Sequence, residues 1–243
     1  MGWQVNRLSA WRINEVPPPE QPVVIYAEPL FGEALADQMS RVLLEPPPEW
    51  LPGLPGDFLK RKVGISTLKE MRPFEEPRFV KPAEGKVFEA RVYQTGTDLP
   101  GVDQVDESLP VLWSEPVNFV LEVRCFVRGG EILAMSPYWR NGALADGPDG
   151  SWPFEGKEEQ ETRDFVSAVL RHPGVETPPA FVLDAGIIEG RGWAVIEGNP
   201  CWGAGLYGCP ARAALEAGRA ALVPKSQMTE AQWKWTSPRV RRS

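Results

Sequence analysis

Ala180-Phe181-Val182-Leu183-Asp184-Ala185-Gly186-Ile187-Ile188 and Trp193-Ala194-Val195-Ile196-Glu197-Gly198-Asn199-Pro200 read as the two strands of a hairpin closed at Gly190-Arg191. A turn centred there sets Asp184 directly across from Glu197. Side chains alternate along a strand, so Asn199 shares the face of Glu197. Two carboxylates and an amide oxygen therefore converge within strands otherwise built of Phe181, Val182, Leu183, Ile187, Val195 and Ile196. Like charges opposed across a sheet repel. A proton, a basic side chain or a cation must relieve the repulsion. An all-oxygen trio suits Mg²⁺, which takes few protein ligands and completes its shell with water and phosphate oxygens. The competing reading pairs Asp184 or Glu197 with a lysine or arginine, or leaves it solvated.

Residues 119–127 and 132–138 form a second hairpin around Gly129-Gly130, a dipeptide suited to a tight turn. Phe119, Leu121, Val123, Cys125 and Val127 make one wholly apolar face. Glu122 and Arg124 project from the other, beside Val120 and Phe126. Arg124 either pairs with Glu122 or presents its planar donor fork to a phosphate. Arg140 follows Pro137, a residue able to end the strand, so the pattern does not fix its direction. Lys81 ends one expected strand and Lys86 begins the next (residues 78–81 and 86–93). They either sit in water or reach over an anionic ligand.

The run Gly203-Ala204-Gly205-Leu206-Tyr207-Gly208 matches the G-x-G-x-x-G pattern of dinucleotide folds. That reading needs a following parallel strand, and none is expected after the helix over residues 211–222. Close packing near the trio of Asp184, Glu197 and Asn199 is the better account of these glycines.

The chain has 243 residues, 42% hydrophobic and 24% charged, with 26 basic against 33 acidic side chains, enough for one two-lobed domain or two small ones. A net charge of −7 argues against a general nucleic-acid binder, and the single histidine, His172, excludes sites built on several. Three cysteines without metal-type spacing point to a reducing, cytoplasmic setting. The start Met1-Gly2-Trp3-Gln4 shows no signal-peptide pattern, and Asn6 stands where Gly2 myristoylation would want Ser or Thr. No apolar run reaches membrane-spanning length. Further strands are expected at residues 23–26 and helices at 30–43, 62–71 (capped by Thr67) and 157–171, while the Trp- and Arg-rich tail after residue 226 has no period. The class is α+β, with antiparallel sheets covered by helices on one face.

The ordered set Phe79-Val80-Lys81-Pro82, Ser114-Glu115-Pro116-Val117, Glu122-Val123-Arg124-Cys125-Phe126-Val127, Val182-Leu183-Asp184 and Val195-Ile196-Glu197-Gly198-Asn199-Pro200 resembles the ATP-grasp nucleotide-binding fold. It is most similar to the small clade marked by two arginines and one lysine. The resemblance implies two α+β lobes whose antiparallel sheets clasp a nucleotide: residues 55–113 and 114–225, preceded by a short β-α unit (1–54) and followed by a tail (226–243). By the same resemblance, Lys81 contacts nucleotide phosphate or adenine. Glu115 and Val117 belong to the hinge that pairs with the adenine edge, and Glu122 is a ribose contact. Arg124 stabilises the transferring phosphate, and Arg140 is the candidate second arginine. Asp184, Glu197 and Asn199 match the magnesium ligands, and Lys86 and Arg61 are further basic residues for the nucleotide.

The implied activity is an ATP- and Mg²⁺-dependent carboxylate–amine ligase working through an acyl phosphate, with a small carboxylate and amine or a peptide as substrate and no nucleic-acid or membrane partner. An assembly chaperone or interaction module of the same fold, binding ATP without turnover until a protein partner arrives, is the competing reading. A dinucleotide-dependent oxidoreductase is the third.

Overall fold

Proline suits the first turn of a helix, where its missing N–H is not needed, and Pro29 opens α1 (Pro29–Gln38). The computed structural model describes residues 3–8, 10–13, 15–18 and 20–242, the side chain of Arg242 excepted; Met1, Gly2 and Pro19 lie outside them. Helix α1 stops at Met39, and Ser40 turns the chain with a φ of 53°. The apolar residues beyond it form β1 (Arg41–Leu43) and do not continue the helix expected over residues 30–43. The strand expected at residues 23–26 is also absent. That segment runs without a ladder, buries Ile25, and lets Tyr26 Oη donate to the Ala204 carbonyl at 2.7 Å. Its apolar pattern serves packing and makes no sheet.

After α2 (Gly56–Leu59), the helix expected over residues 62–71 divides at Thr67 into β2 (Val63–Thr67) and α3 (Leu68–Met71). Thr67 caps α3 as expected. Its Oγ1 accepts from Glu70 N at 3.3 Å while the Glu70 carboxylate accepts from Thr67 N at 3.0 Å, a reciprocal capping box. The strands β3 (Arg78–Pro82) and β4 (Arg91–Tyr93) follow, the second shorter than residues 86–93 suggested. The strand β5 (Pro110–Ser114), just before the expected hinge residues Glu115 and Val117, inserts between β2 and β3 to give the order β2-β5-β3-β4. Leu68, Met71, Phe74, Val80, Tyr93, Leu99, Val105 and Val111 form the core of this sheet.

Gly129 and Gly130 both take positive φ (58° and 79°), the geometry a two-residue hairpin turn needs, and join β6 (Phe119–Arg128) to β7 (Glu131–Arg140). Pro137 does not end β7. It pairs with Val123, and β8 (Ala143–Leu144) bonds only to Trp139 and Arg140, so no outer ladder bond is lost at the proline. Helix α4 (Glu158–Arg171) leads to β9 (Ala180–Ile188) and β10 (Gly192–Asn199), completing the antiparallel order β10-β9-β6-β7-β8.

Helices cover this sheet on both faces, not one. Leu121, Val123, Cys125, Val127, Phe181 and Leu183 pack with Val166 and Val169 of α4. Phe126, Ala180 and Val182 point the other way, onto Leu35 and Ala36 of α1 and Ala214 and Ala217 of α5 (Ala211–Ala221). The alternate residues of β6 and β9 are apolar on both sides at one end, so both sides exclude water there. Each such Phe or Leu contributes about 1.5–3 kcal/mol by burial. The remainder of the second face is polar and holds the site described below.

Beyond α5, β11 (Leu222–Pro224) pairs antiparallel with β1 as a separate two-stranded sheet. The tail forms two short helices, α6 (Glu230–Trp233) and α7 (Pro238–Arg242). Trp235, Thr236 and Ser237 are buried between them, and the Trp235 carbonyl accepts from Glu45 N at 2.7 Å. Cys125, Cys201 and Cys209 are free and buried. Among the described residues no helix is long and apolar enough to cross a membrane.

Burial, reinforced by the carboxylates of Glu33 and Glu84 and opposed by Arg239 and Arg241, pushes the Glu45 carboxyl up from 4.5 to about 7. Because the folded value exceeds the unfolded one, the native state keeps a proton that the unfolded chain releases, and stability falls as pH rises through that interval. Glu45→Gln lacks this loss. Urea midpoints measured across the window are expected to show the variant gaining on the wild type as pH rises; parallel curves would contradict the assignment.

Candidate active site

A row of four residues crosses the five-stranded sheet on its polar face. Glu197 of β10 pairs with Asp184 of β9, Asp184 with Arg124 of β6, and Arg124 with Ser136 of β7. The opposition of Asp184 and Glu197 is as read from the sequence, but a bulge creates it. Between the turn and Val195 the partners run one step out of that register, and the extra residue Ile196 corrects the count before Glu197. Arg61 holds the bulge: its Nη1 donates to the Val195 carbonyl at 2.8 Å and to Leu59 at 3.1 Å, and its Nη2 donates to Ile196 at 3.1 Å.

Asp184 is fully buried, and Arg124 meets it with a two-pronged contact, Nε to Oδ1 at 3.0 Å and Nη2 to Oδ2 at 2.7 Å. Glu122, the carboxylate open to Arg124 on sequence grounds, is not its partner, and the pairing of Asp184 with an arginine is the competing reading given above. Glu122 accepts instead from the Tyr138 hydroxyl. The third guanidinium nitrogen, Nη1, donates to the Gly205 carbonyl at 3.0 Å. Asn199 Nδ2 bridges the acidic pair, at 2.9 Å from Asp184 Oδ2 and 2.8 Å from Glu197 Oε1. Lys81 Nζ, from the end of β3, makes an ion pair with the other Glu197 oxygen. Thus the two sheets meet at this point.

Burial raises the Asp184 carboxyl, partly offset by Arg124 and Asn199. Burial also works to raise Glu197, but the charge of Lys81, the Asn199 bond and Arg124 outweigh it and hold that carboxyl below its ordinary value. Burial raises Glu122, against its bond from Tyr138. Burial lowers the Arg61 guanidinium to about 10, against the pull of Glu197, Glu115 and Glu122, so it stays charged at neutral pH.

Asp184, Glu197, Asn199, Lys81 and Arg124 are therefore brought together, with Glu122 and Arg61 beside them. Glu115 and Val117 lie in the segment between β5 and β6. Glu115 is tied to Arg191 at 2.6 Å, and its backbone N–H donates to the Lys62 carbonyl at 2.9 Å. Lys86 is exposed in the loop after β3 and is not drawn to the row. Arg140 is a correction. It pairs with Leu121, on the α4 face of the sheet, and its guanidinium bonds Glu158 at 2.6 Å and Glu155 at 3.2 Å. A second bulge, at Tyr138, turns Arg140 away from Arg124 and turns the Tyr138 ring toward it.

Tyr138 and Tyr207 are the residues that sequence reasoning missed. Their rings stack at 4.8 Å, and the Arg124 guanidinium lies 5.4 and 4.9 Å from the two centroids, within reach of cation–π attraction. Tyr207 holds a left-handed φ of 48° to reach this place. The glycine run around it packs as expected: a Cβ at Gly208 would meet Ser136 Oγ and Trp152 at 2.5 Å. No dinucleotide unit forms, since α5 leads to β11 and the antiparallel partner β1.

The donor set fits a hard divalent cation. Oxygens of Asp184 and Glu197 already point at one common atom, Asn199 Nδ2, and turning the amide over would present a third oxygen there. Among the described residues no group of three or more His, Cys, Asp and Glu side chains could hold a metal, so the amide is a needed member of the set.

Removing Arg124 leaves an uncompensated charge in a buried site. Arg124→Met is expected to cost about 3–5 kcal/mol, while the double variant Arg124→Met/Asp184→Leu recovers most of it. Urea unfolding followed by circular dichroism measures both; a double variant as unstable as the single would show that the cost is not that of a stranded buried charge.

The model of the ATP-grasp domain, family 2 of the clade named for two arginines and one lysine, matches residues 58–217. Among solved structures the chain is similar to the D-cycloserine synthetase DcsG (15% identity, TM-score 0.45, 74% of this chain and 69% of that one). It is also similar to the ATP-grasp ligase PsnB complexed with minimal precursor, Mg and ADP (16%, 0.39, 65% and 53%). A third is N5-carboxyaminoimidazole synthetase from Staphylococcus aureus (16%, 0.41, 68% and 48%). The chain spans about half the length of the last two. No curated protein matches it by sequence. With a family match over most of its length, and with antiparallel sheets meeting at Lys81 and Glu197, the chain belongs to the ATP-grasp superfamily, in the second family of its two-arginine, one-lysine clade.

Proposed function

We propose that this protein is an ATP- and Mg²⁺-dependent ligase that joins a small carboxylate, or a peptide carboxyl, to an amine. The observation that carries the reading is the convergence of Asp184 and Glu197 on Asn199, flanked by Lys81 from the facing sheet and by Arg124. Mg²⁺ held by Asp184, Glu197 and Asn199 would offset the charge of the phosphate oxygens.

The chain's own residues do the positioning. Lys81 leaves Glu197 to meet a phosphate, which costs little once the carboxylate is otherwise neutralised. Arg124 keeps its two bonds to Asp184 and one to Gly205, so its positive charge stands fixed where the phosphoryl group passes, with no reorganisation during the reaction. The Tyr138 and Tyr207 rings shield that charge from water. The γ-phosphoryl group moves to a carboxylate oxygen, leaving ADP. The amine then attacks the carbonyl carbon, expels inorganic phosphate and loses a proton. No protein nucleophile is required, which accords with a single histidine, His172, at the end of α4.

The full engagement of the Asp184 carboxylate by Arg124 and Asn199 favours one competing reading, a nucleotide-binding assembly module that does not turn over alone. Calorimetry with ATP–Mg²⁺, with NADH as control, tests binding; screening amino acids and peptides for ADP release separates ligase from module. Glu197→Gln and Asp184→Asn are expected to lower ADP release at least about a hundredfold, the scale of losing one preorganised charge; circular dichroism under native conditions should be unchanged in Glu197→Gln, while Asp184→Asn also lowers the urea midpoint because it strands Arg124. Wild-type-like turnover in either variant would remove the metal role from that residue.

A further inference from the structure

The sheet that carries Lys81 has a core of its own, and apart from Val63 at the start of β2 none of its strand residues joins the apolar clusters of the five-stranded sheet. Its orientation therefore rests largely on polar contacts. Among the described residues these include Lys81 with Glu197, Glu115 with Arg191, and Glu84 with Arg239. The first must open when Lys81 turns to phosphate, and the second sits at the hinge. The third lies three residues beyond Lys81, on the loop that leaves β3.

Arg239, on α7, uses its whole fork. Nε and Nη2 donate to the two oxygens of Glu33 on α1 at 3.0 and 2.9 Å, and Nη1 donates to Glu84 at 2.7 Å. All three side chains are less than a third exposed (30%, 13% and 26%), so water screens them less than a surface pair. Both supports are firm. Leu35 and Ala36 beside Glu33 belong to the second apolar core, while Val240 beside Arg239 packs on the first. A rigid guanidinium thus links a fixed helix to the loop behind Lys81.

We propose that Arg239 is a positioning residue: the C-terminal helix clamps the Lys81 strand against α1 and presets how far the nucleotide lobe closes over the acidic row. This rests on the nucleotide reading above for its consequence, but not for its geometry. The tail would then tune nucleotide affinity without touching the nucleotide. Lysine cannot replace the arginine, because an ammonium lacks the planar fork that serves two carboxylates at once.

The test uses the full chain with spin labels on Val92→Cys in β4 and Leu144→Cys in β8, both exposed, while the three native cysteines are buried. Burial pushes the Cys201 and Cys209 thiols up to about 12, which keeps them unreactive. Pulsed electron resonance is expected to give one narrow distance in the parent and a broadened or longer one in Arg239→Gln. Glu84→Ala, which breaks only the loop side and leaves Arg239 on Glu33, should do the same. In unlabelled protein, calorimetry with ATP–Mg²⁺ should show Kd raised about tenfold in either variant, the equivalent of about 1.4 kcal/mol, and Arg239→Lys should not rescue it. Unchanged distances in both variants would overturn the clamp. An unchanged Kd beside altered distances would overturn its link to nucleotide binding. If the parent binds no ATP–Mg²⁺ at all, the functional reading fails, and the distances still decide the clamp.

Discussion

A carboxylate with no exposed surface must be neutralised where it stands, and Asp184 is neutralised by Arg124. Much of the site follows from that requirement. The pairing demands adjacent strands in register, so β6 and β9 must be neighbours. It demands that the remaining guanidinium nitrogen be satisfied, which the Gly205 carbonyl does, drawing the glycine loop down over the sheet. It also needs protection from water, which the stacked rings of Tyr138 and Tyr207 provide. A buried pair of this kind is a poor source of net stability, because desolvation consumes most of the attraction. Its place at the meeting point of two sheets fits the preorganised charge proposed for Arg124.

Two bulges do the aiming. In a regular hairpin Ile196 and Tyr138 would each have a cross-strand partner, and the rows beyond them would shift by one residue. A shift of one residue sends a side chain to the opposite face. At Ile196 the bulge brings Glu197 level with Asp184, and Arg61 secures it by taking the two carbonyls that the bulge exposes. At Tyr138 the bulge gives the aromatic ring to the site and Arg140 to the α4 side. Arg61 thus serves the backbone of the acidic strand, and its reach toward a nucleotide is limited by the three carbonyls it already holds.

The apolar interior and the polar contacts divide the work. The five-stranded sheet is fixed by burial on both faces, so its row of charges is rigid. The four-stranded sheet is a unit that is internally apolar and externally tied by ion pairs, and ion pairs can be exchanged for contacts to a charged ligand at small net cost. The same architecture would let Lys81 change partners, and through Arg239 helix α7 bridges one unit to the other.

What the amino-acid order determined by itself is local. The glycine turns, the alternation in β6 and β9, the cap at Thr67, the two carboxylates and one amide on one face and the antiparallel α+β class were all legible, because each depends on neighbours within a strand, a turn or a helix. Short apolar runs misled for the same reason: residues 41–43 and 63–67 continue a helical pattern, yet pair as strands with partners far along the chain. Tertiary structure alone decided which base neutralises Asp184, which way Arg140 faces, that Tyr207 covers Arg124, and that a periodless tail carries the guanidinium joining Glu33 to Glu84. Those outcomes turn on single-residue bulges and on contacts across long stretches of chain. Local periodicity carries no record of either, because the energy that selects them comes from burial and charge pairing in the assembled fold.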